Sequence, residues 1–211
     1  MNNDNKIIYA FIDASNLFYG GRVLGWKIDY QKLLIYLKNK YNCSRILFYG
    51  GIETHGFNYS IIDYYKPIDL DELIKYLEEK MHDSKLEDKD IILINRHLKQ
   101  IKFYRKLRDF GYEMKLKPTK SYIDRHGEPI KKANCDVDMT FDIMRLMGQY
   151  NDAVVISGDG DFIPVLSYLK HKGREVIVLA HPKCTSRDLK KMLKNNFQAF
   201  TKLKRVLEFL E

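Results

Sequence analysis

The chain has few of the residues that would staple it together. Its three cysteines, Cys43, Cys135 and Cys184, are scattered over 211 residues with no Cys-x-x-Cys pair. A disulfide framework and a thiolate zinc site are therefore both disfavoured. Five prolines and 12 glycines exclude collagen-like and linker-rich organisation. No apolar run approaches the ~20 residues that span a bilayer, so no membrane partner is expected. A P-loop is absent, and the first strand-like run is not followed by Gly-x-Gly-x-x-Gly, which removes the usual nucleotide-hydrolysing and dinucleotide-binding readings. The six histidines, His55, His82, His97, His126, His171 and His181, show no metal-ligand spacing and read as ordinary surface or structural residues. The polar start, Met1 to Lys6, runs straight into a strand-like segment with no signal-peptide pattern, so the cytoplasm is the expected address.

What is present is a soluble composition, 45% hydrophobic and 30% charged, with a net charge of +8. The length suits one full-sized domain, and a basic domain suggests a polyanionic partner. The charge is uneven. From Glu53 to Asp90 there are 11 acidic and 5 basic residues, from Asn95 to Lys132 there are 12 basic and 4 acidic, and from Lys183 to Arg205 there are 8 basic and 1 acidic. Such runs fit solvated helix faces, or two basic flanks beside a cleft that tracks phosphates. The acidic stretch, about 63–90, reads as an insertion that keeps its own side of the molecule.

Strand patterns are expected at Lys6 to Ile12, Arg45 to Tyr49, Ile91 to Ile94, Tyr112 to Lys117, Ala153 to Ser157 and Glu175 to Leu179. Helical patterns are expected at Asp29 to Lys40, Asp69 to His82, His97 to Phe110, Asn134 to Gln149, Phe162 to Lys172 and Ser186 to Asn195, with a further candidate at Lys202 to Leu210. Unalternating runs such as Val154-Val155-Ile156 fit strands covered on both faces. Strands alternating with helices imply an α/β fold with a central, mostly parallel sheet. Ligands in such sheets bind beyond the carboxyl ends of the strands.

Aspartates gather at those ends. Asp13 closes the first strand in Ile12-Asp13-Ala14-Ser15-Asn16. Asp136 and Asp138 open a helix after Lys131-Lys132-Ala133-Asn134-Cys135, and Asp142 follows four residues after Asp138. Asp159 and Asp161 follow Val154-Val155-Ile156-Ser157-Gly158. Asp13, Asp136 and Asp161 each have a structural alternative as a turn, first-turn or cap residue. Asp138 and Asp142, like charges four apart on one helical stripe, and Asp159, between two glycines, do not. Val137, Phe141 and Met144 read as the apolar stripe that anchors their helix to the sheet. Taken together, clustered carboxylates repel unless a proton or cation intervenes. Mg²⁺ takes one or two carboxylates plus waters and phosphate oxygens, and such an ion polarises a phosphodiester and acidifies a bound water.

These three motifs, with Phe103 to Pro118 before the central one, resemble the NYN family of PIN-like nucleases over roughly Lys6 to Ala180. The resemblance implies a PIN-like three-layer α/β/α sandwich and a ribonuclease dependent on Mg²⁺ or Mn²⁺. It implies metal ligands at Asp13, Asp136 and Asp159, with Asn16 and Asp161 in the catalytic set and Asp142 in support. Asp138 is an extra acid beside the family pattern, which leaves the central ligand between Asp136 and Asp138. Ser157 is a supporting candidate from its place at the strand end. Lys132 is a candidate phosphate contact. Domain bounds of 1–182 for the nuclease and 183–211 for a basic helical extension are expected. So are cleavage inside single-stranded RNA and a possible homodimer. The competing reading is an inactive RNA-binding or protein-interaction module on the same fold. A haloacid-dehalogenase-type phosphatase is disfavoured, because Ser15 stands where its general-acid aspartate is needed.

Overall fold

The structure is a computed structural model that describes residues 6–60, 66–123 and 129–210, with backbone alone at 120–123 and 129–132. In chain order the elements are β1 (Ile8–Asp13), α1 (Ala14–Leu24), α2 (Tyr30–Tyr41), β2 (Cys43–Ile52), α3 (Leu70–Lys80), α4 (Asp88–Phe110), β3 (Glu113–Pro118), β4 (Lys120–Ile123) and β5 (Pro129–Lys132). There follow α5 (Asp136–Arg145), β6 (Asp152–Ile156), α6 (Ile163–His171), β7 (Val176–Ala180), α7 (Arg187–Leu193), β8 (Phe197–Ala199) and α8 (Lys204–Leu207).

Six strands form one sheet in the order β3-β2-β1-β6-β7-β8, and every pairing in it is parallel. β4 and β5 form a separate antiparallel hairpin. One face of the sheet packs with α1 to α4 around residues such as Leu33, Phe48, Leu73 and Ile101. The other packs with α5 to α7 around Phe11, Met139, Val155 and Leu166. The helix-sheet-helix sandwich therefore follows from strands apolar on both faces. Among the described residues no helix is long and apolar enough to cross a membrane.

The strand order fixes where a crevice opens. The chain leaves β1 toward β2 and β3 on one side, and leaves β6 toward β7 and β8 on the other. Connections diverge above the neighbouring carboxyl ends of β1 and β6, which is the topological switch point of an open parallel sheet. Asp13 and Ser157 to Asp159 lie there.

Several sequence expectations change. Ile91 to Ile94, expected as a strand, belongs to α4. Its run of four apolar residues resembles a buried strand, but the burial is helical: Ile94, Leu98, Ile101 and Tyr104 face inward while Ile92 is 70% exposed. The acidic stretch lies partly outside the described residues. Its described part is not set aside, because Leu70, Leu73, Ile74 and Leu77 of α3 enter the main core. The segment from 183 onward is likewise integral: Leu189 and Leu193 are buried in the α5–α7 core, β8 extends the sheet and Leu207 lies in the opposite core.

Candidate active site

Register brings the first and last acidic motifs together. Ile12 pairs with Ile156, so the residues that follow them meet. The Ser157 hydroxyl donates to Asp13 Oδ2 at 3.0 Å, and the Asn16 N–H donates to Asp13 Oδ1 at 3.1 Å, capping α1. Asn16 Oδ1 in turn accepts the Gly158 N–H at 2.8 Å. The Asp159 N–H donates to Ser157 Oγ at 3.2 Å, and Asp159 Oδ1 accepts the Asp161 N–H at 3.0 Å. One hydrogen-bonded chain thus joins Asn16, Asp13, Ser157, Asp159 and Asp161 across two strand ends.

Asp13 is 7% exposed. Burial raises its pKa above the ordinary 3.8, and the nearby charge of Asp136 raises it further. Hydrogen bonds from Asn16, Ser157 and Ser15 act in the opposite sense because they favour the carboxylate. No cationic side chain among the described residues pairs with Asp13. A buried carboxylate beside a second acid, without a cation, is the arrangement a bound metal ion would relieve.

The central motif divides. Asp136 begins α5 with its N–H donated to Asn134 Oδ1 at 3.1 Å, and α5 packs against β1 and the turn at 160–162. Asp138 makes an ion pair with Lys117 at 2.6 Å. Asp142 is fully buried, accepting the Tyr49 hydroxyl at 3.0 Å and Arg145 Nη2 at 2.6 Å. Its oxygens thus meet protein donors inside the core rather than the crevice.

The expected anchoring stripe is also rotated. Val137 is 66% exposed, Phe141 46% and Met144 38%, while Cys135, Met139, Ile143 and Leu146 are buried. Both sets have helical spacing, so periodicity alone could not choose between them. Putting Asp142 inward is offset by Arg145, one turn on, and by Tyr49 of β2, a partner 93 residues away that no local pattern displays. Cys135 is no nucleophile. Burial pushes its thiol up to about 12, with Asp138, Asp13 and Asp136 adding to the shift.

Two glycines permit close approaches. A Cβ on Gly51 would stand 2.6 Å from Ala133 Cβ, where the chain returns toward Asp136. A Cβ on Gly158 would stand 2.5 Å from the Cys184 carbonyl oxygen and 2.7 Å from Thr185 Oγ1. The loop 181–186 lies directly over the Gly158 turn, with the Ser186 N–H donating to the Gly158 oxygen at 2.9 Å. Sequence reading did not find this loop, because its contacts are with backbone and carry no motif. Gly158→Ala should cost about 1–3 kcal/mol, as overpacking against a fixed backbone does. Gly148→Ala, with nothing within 4 Å of its Cβ, should not, and thermal unfolding of the two variants checks the contrast. Lys132 ends β5, but its side chain lies outside the described set.

Among the described residues no three carboxylate, imidazole or thiol groups form a ready-made cation cage. The donor set therefore does not fit an ion enclosed by protein alone. Mg²⁺ or Mn²⁺ needs no such cage, since it takes one or two carboxylates and completes its shell with water and phosphate oxygens, and carboxylates are the donors that Asp13, Asp136 and Asp159 carry.

Comparison with known proteins gives three findings. The family model of the NYN domain matches residues 56–202. That span begins beyond Asp13 and Asn16 and continues past the Ala180 limit set from the motifs. The low amplitude and bright protein LabA of Synechococcus elongatus is 22% identical over 188 residues, covering 85% of this chain and 76% of that protein. A crystal structure of a protein of unknown function from Vibrio parahaemolyticus superposes with a TM-score of 0.60 and 23% identity, over 94% of this chain and 96% of that one. The last similarity shows the shared fold.

Proposed function

Because the chain belongs to the NYN domain family, we propose that it is a divalent-metal-dependent ribonuclease that hydrolyses phosphodiester bonds inside single-stranded RNA. The observation that carries this reading is Asp13, buried at the switch point, bonded to Ser157 and Asn16, raised in pKa and without a cationic partner among the described residues. Asp13 would hold Mg²⁺ or Mn²⁺ directly, and Asp136 and Asp159 would hold it directly or through its waters. When bound, the ion would polarise the scissile phosphate and lower the pKa of an attacking water.

The protein groups then have distinct tasks. Ser157 keeps Asp13 oriented by donating to Oδ2. Asn16 has its oxygen committed to Gly158, which leaves its amide N–H groups to donate to a phosphate oxygen or a water. Asp161, two residues beyond the Asp159 cap, supplies a second carboxylate at the turn. Lys132 and the basic stretches would neutralise phosphates. A cytoplasmic address and a homodimer belong to the same proposal.

The absence of a complete acid cage among the described residues favours a second reading, an RNA-binding module without activity. End-labelled single-stranded RNA separates the two. The nuclease reading expects internal cuts with Mg²⁺ or Mn²⁺, none with chelator, and at least a roughly 100-fold slower reaction for Asp159→Asn. That figure is the upper end of what losing a residue that only orients a ligand costs. RNA bound equally with and without chelator, and never cut, leaves the binding module.

A further inference from the structure

Beyond the acidic crevice, the far end of α1 lines a pocket of about 740 Å³, within the usual ~300–1,000 Å³ of ligand sites. Its other walls come from the 25–29 connection, the start of α2, the second half of α4 and Phe209. We propose that this pocket is a base-stacking subsite for single-stranded RNA, receiving a nucleobase of the strand whose phosphodiester lies at Asp13. The proposal rests on the nuclease reading for that second clause alone.

The wall chemistry selects a flat, anionic ligand. Phe18, Trp26, Tyr30, Phe103 and Phe110 all contribute rings. Tyr30 and Phe103 meet edge to face, with centroids 5.1 Å apart at 77°, and Phe18 lies 6.1 Å from each, so the floor is braced by aromatic packing. Arg22 and Lys106 stand exposed on the rim, with Lys106 Nζ 5.6 Å from the Phe110 centroid. The carboxylate in the lining, Asp29, is turned to capping α2, where it accepts the Lys32 N–H. Rings flanked by cations are how proteins hold single strands without sequence preference: the bases stack and the charges follow the backbone. An apolar peptide would gain nothing from the rim charges.

Position supplies the second argument. α1 starts at Ala14, immediately after Asp13. At 1.5 Å per residue, Phe18 and Arg22 lie about 8 and 14 Å along the helix from Asp13, one turn apart on the same face. A strand engaged at Asp13 and continuing along α1 reaches this pocket next.

Trp26 is the chain's single tryptophan, so the pocket carries its own reporter. In chelator, where no cleavage occurs, mixed-sequence single-stranded RNA should quench Trp26 fluorescence, whereas an abasic strand of equal length should not. Trp26→Leu and the double change Arg22→Glu with Lys106→Glu should each weaken RNA binding, read by anisotropy, by roughly five- to a hundredfold. Thermal unfolding confirms that these variants fold. Asp13→Asn should keep the quench. RNA that binds without altering Trp26, an equal response to the abasic strand, or pocket variants that bind like the wild type each overturn the subsite. A Trp26 change driven by protein concentration alone, with none on adding RNA, assigns the face to a second copy and also overturns it. A quench without any metal-dependent cleavage keeps the subsite and removes the nuclease reading. Cleavage without a quench does the reverse.

Discussion

Asp13→Asn is expected to abolish metal-dependent RNA cleavage and, in the metal-free protein, to raise the melting temperature. The two effects have one cause. Burial and Asp136 lift the Asp13 pKa above 3.8 in the folded state, so the folded protein binds this proton more tightly than the unfolded chain. The stabilisation linked to that proton is full below about 3.8 and is lost as pH rises through the folded pKa. At neutral pH the ionised side chain therefore opposes folding. Asparagine removes the charge, keeps an oxygen for the Asn16 N–H and is as good a helix cap as aspartate, so a lost cap does not confuse the result. Mn²⁺ should stabilise the wild type by mass action and leave the variant unmoved, while cleavage falls by at least about 100-fold, beyond what losing a residue that merely orients a ligand costs. A wild type indifferent to Mn²⁺, with a variant that melts lower, would make Asp13 an ordinary cap.

This combination also explains what the sequence made legible. Strand ends in an α/β chain are marked by apolar runs that stop abruptly, and Asp13 and Asp159 each follow such a stop. Parallel register then brings them to one edge, because β1 and β6 are neighbours. α4 was harder to read, since Ile91 to Ile94 has the composition of a buried strand and only tertiary packing shows Ile92 to be outside. The short strand β8 offers three residues, Phe197-Gln198-Ala199, too few for a periodic signal. The loop over Gly158 is illegible for a different reason: it packs on glycine backbone through the Cys184 carbonyl, the Ser186 N–H and the small Thr185 side chain, contacts that leave no motif in the sequence.

The acids of α5 show the same limit more sharply, and Asp142 provides its test. Asp142→Ala is expected to be the most destabilising single change near the crevice. The carboxylate is fully buried and bonds to Tyr49 on β2 and Arg145 one turn on, tying α5 to the sheet. Breaking a fully buried pair costs about 3–5 kcal/mol. Here the Arg145 side chain is 30% exposed and can turn toward water, so a loss of about 2–4 kcal/mol is expected, or roughly 5–15 °C in melting temperature for a chain of this size. Asp138→Ala removes a pair whose side chains are 33% and 24% exposed, and should cost no more than about 1 kcal/mol. Asp142→Asn keeps the shape and one acceptor, so it should fold, and its Mn²⁺ response separates a core strut from a metal ligand. If the Asn variant melts lower yet retains the wild-type shift with Mn²⁺, Asp142 positions α5, and thereby Asp136, without touching the ion. If its stability is unchanged and the Mn²⁺ shift disappears, the buried carboxylate reaches the metal after all, and the division of labour among the α5 acids is reversed.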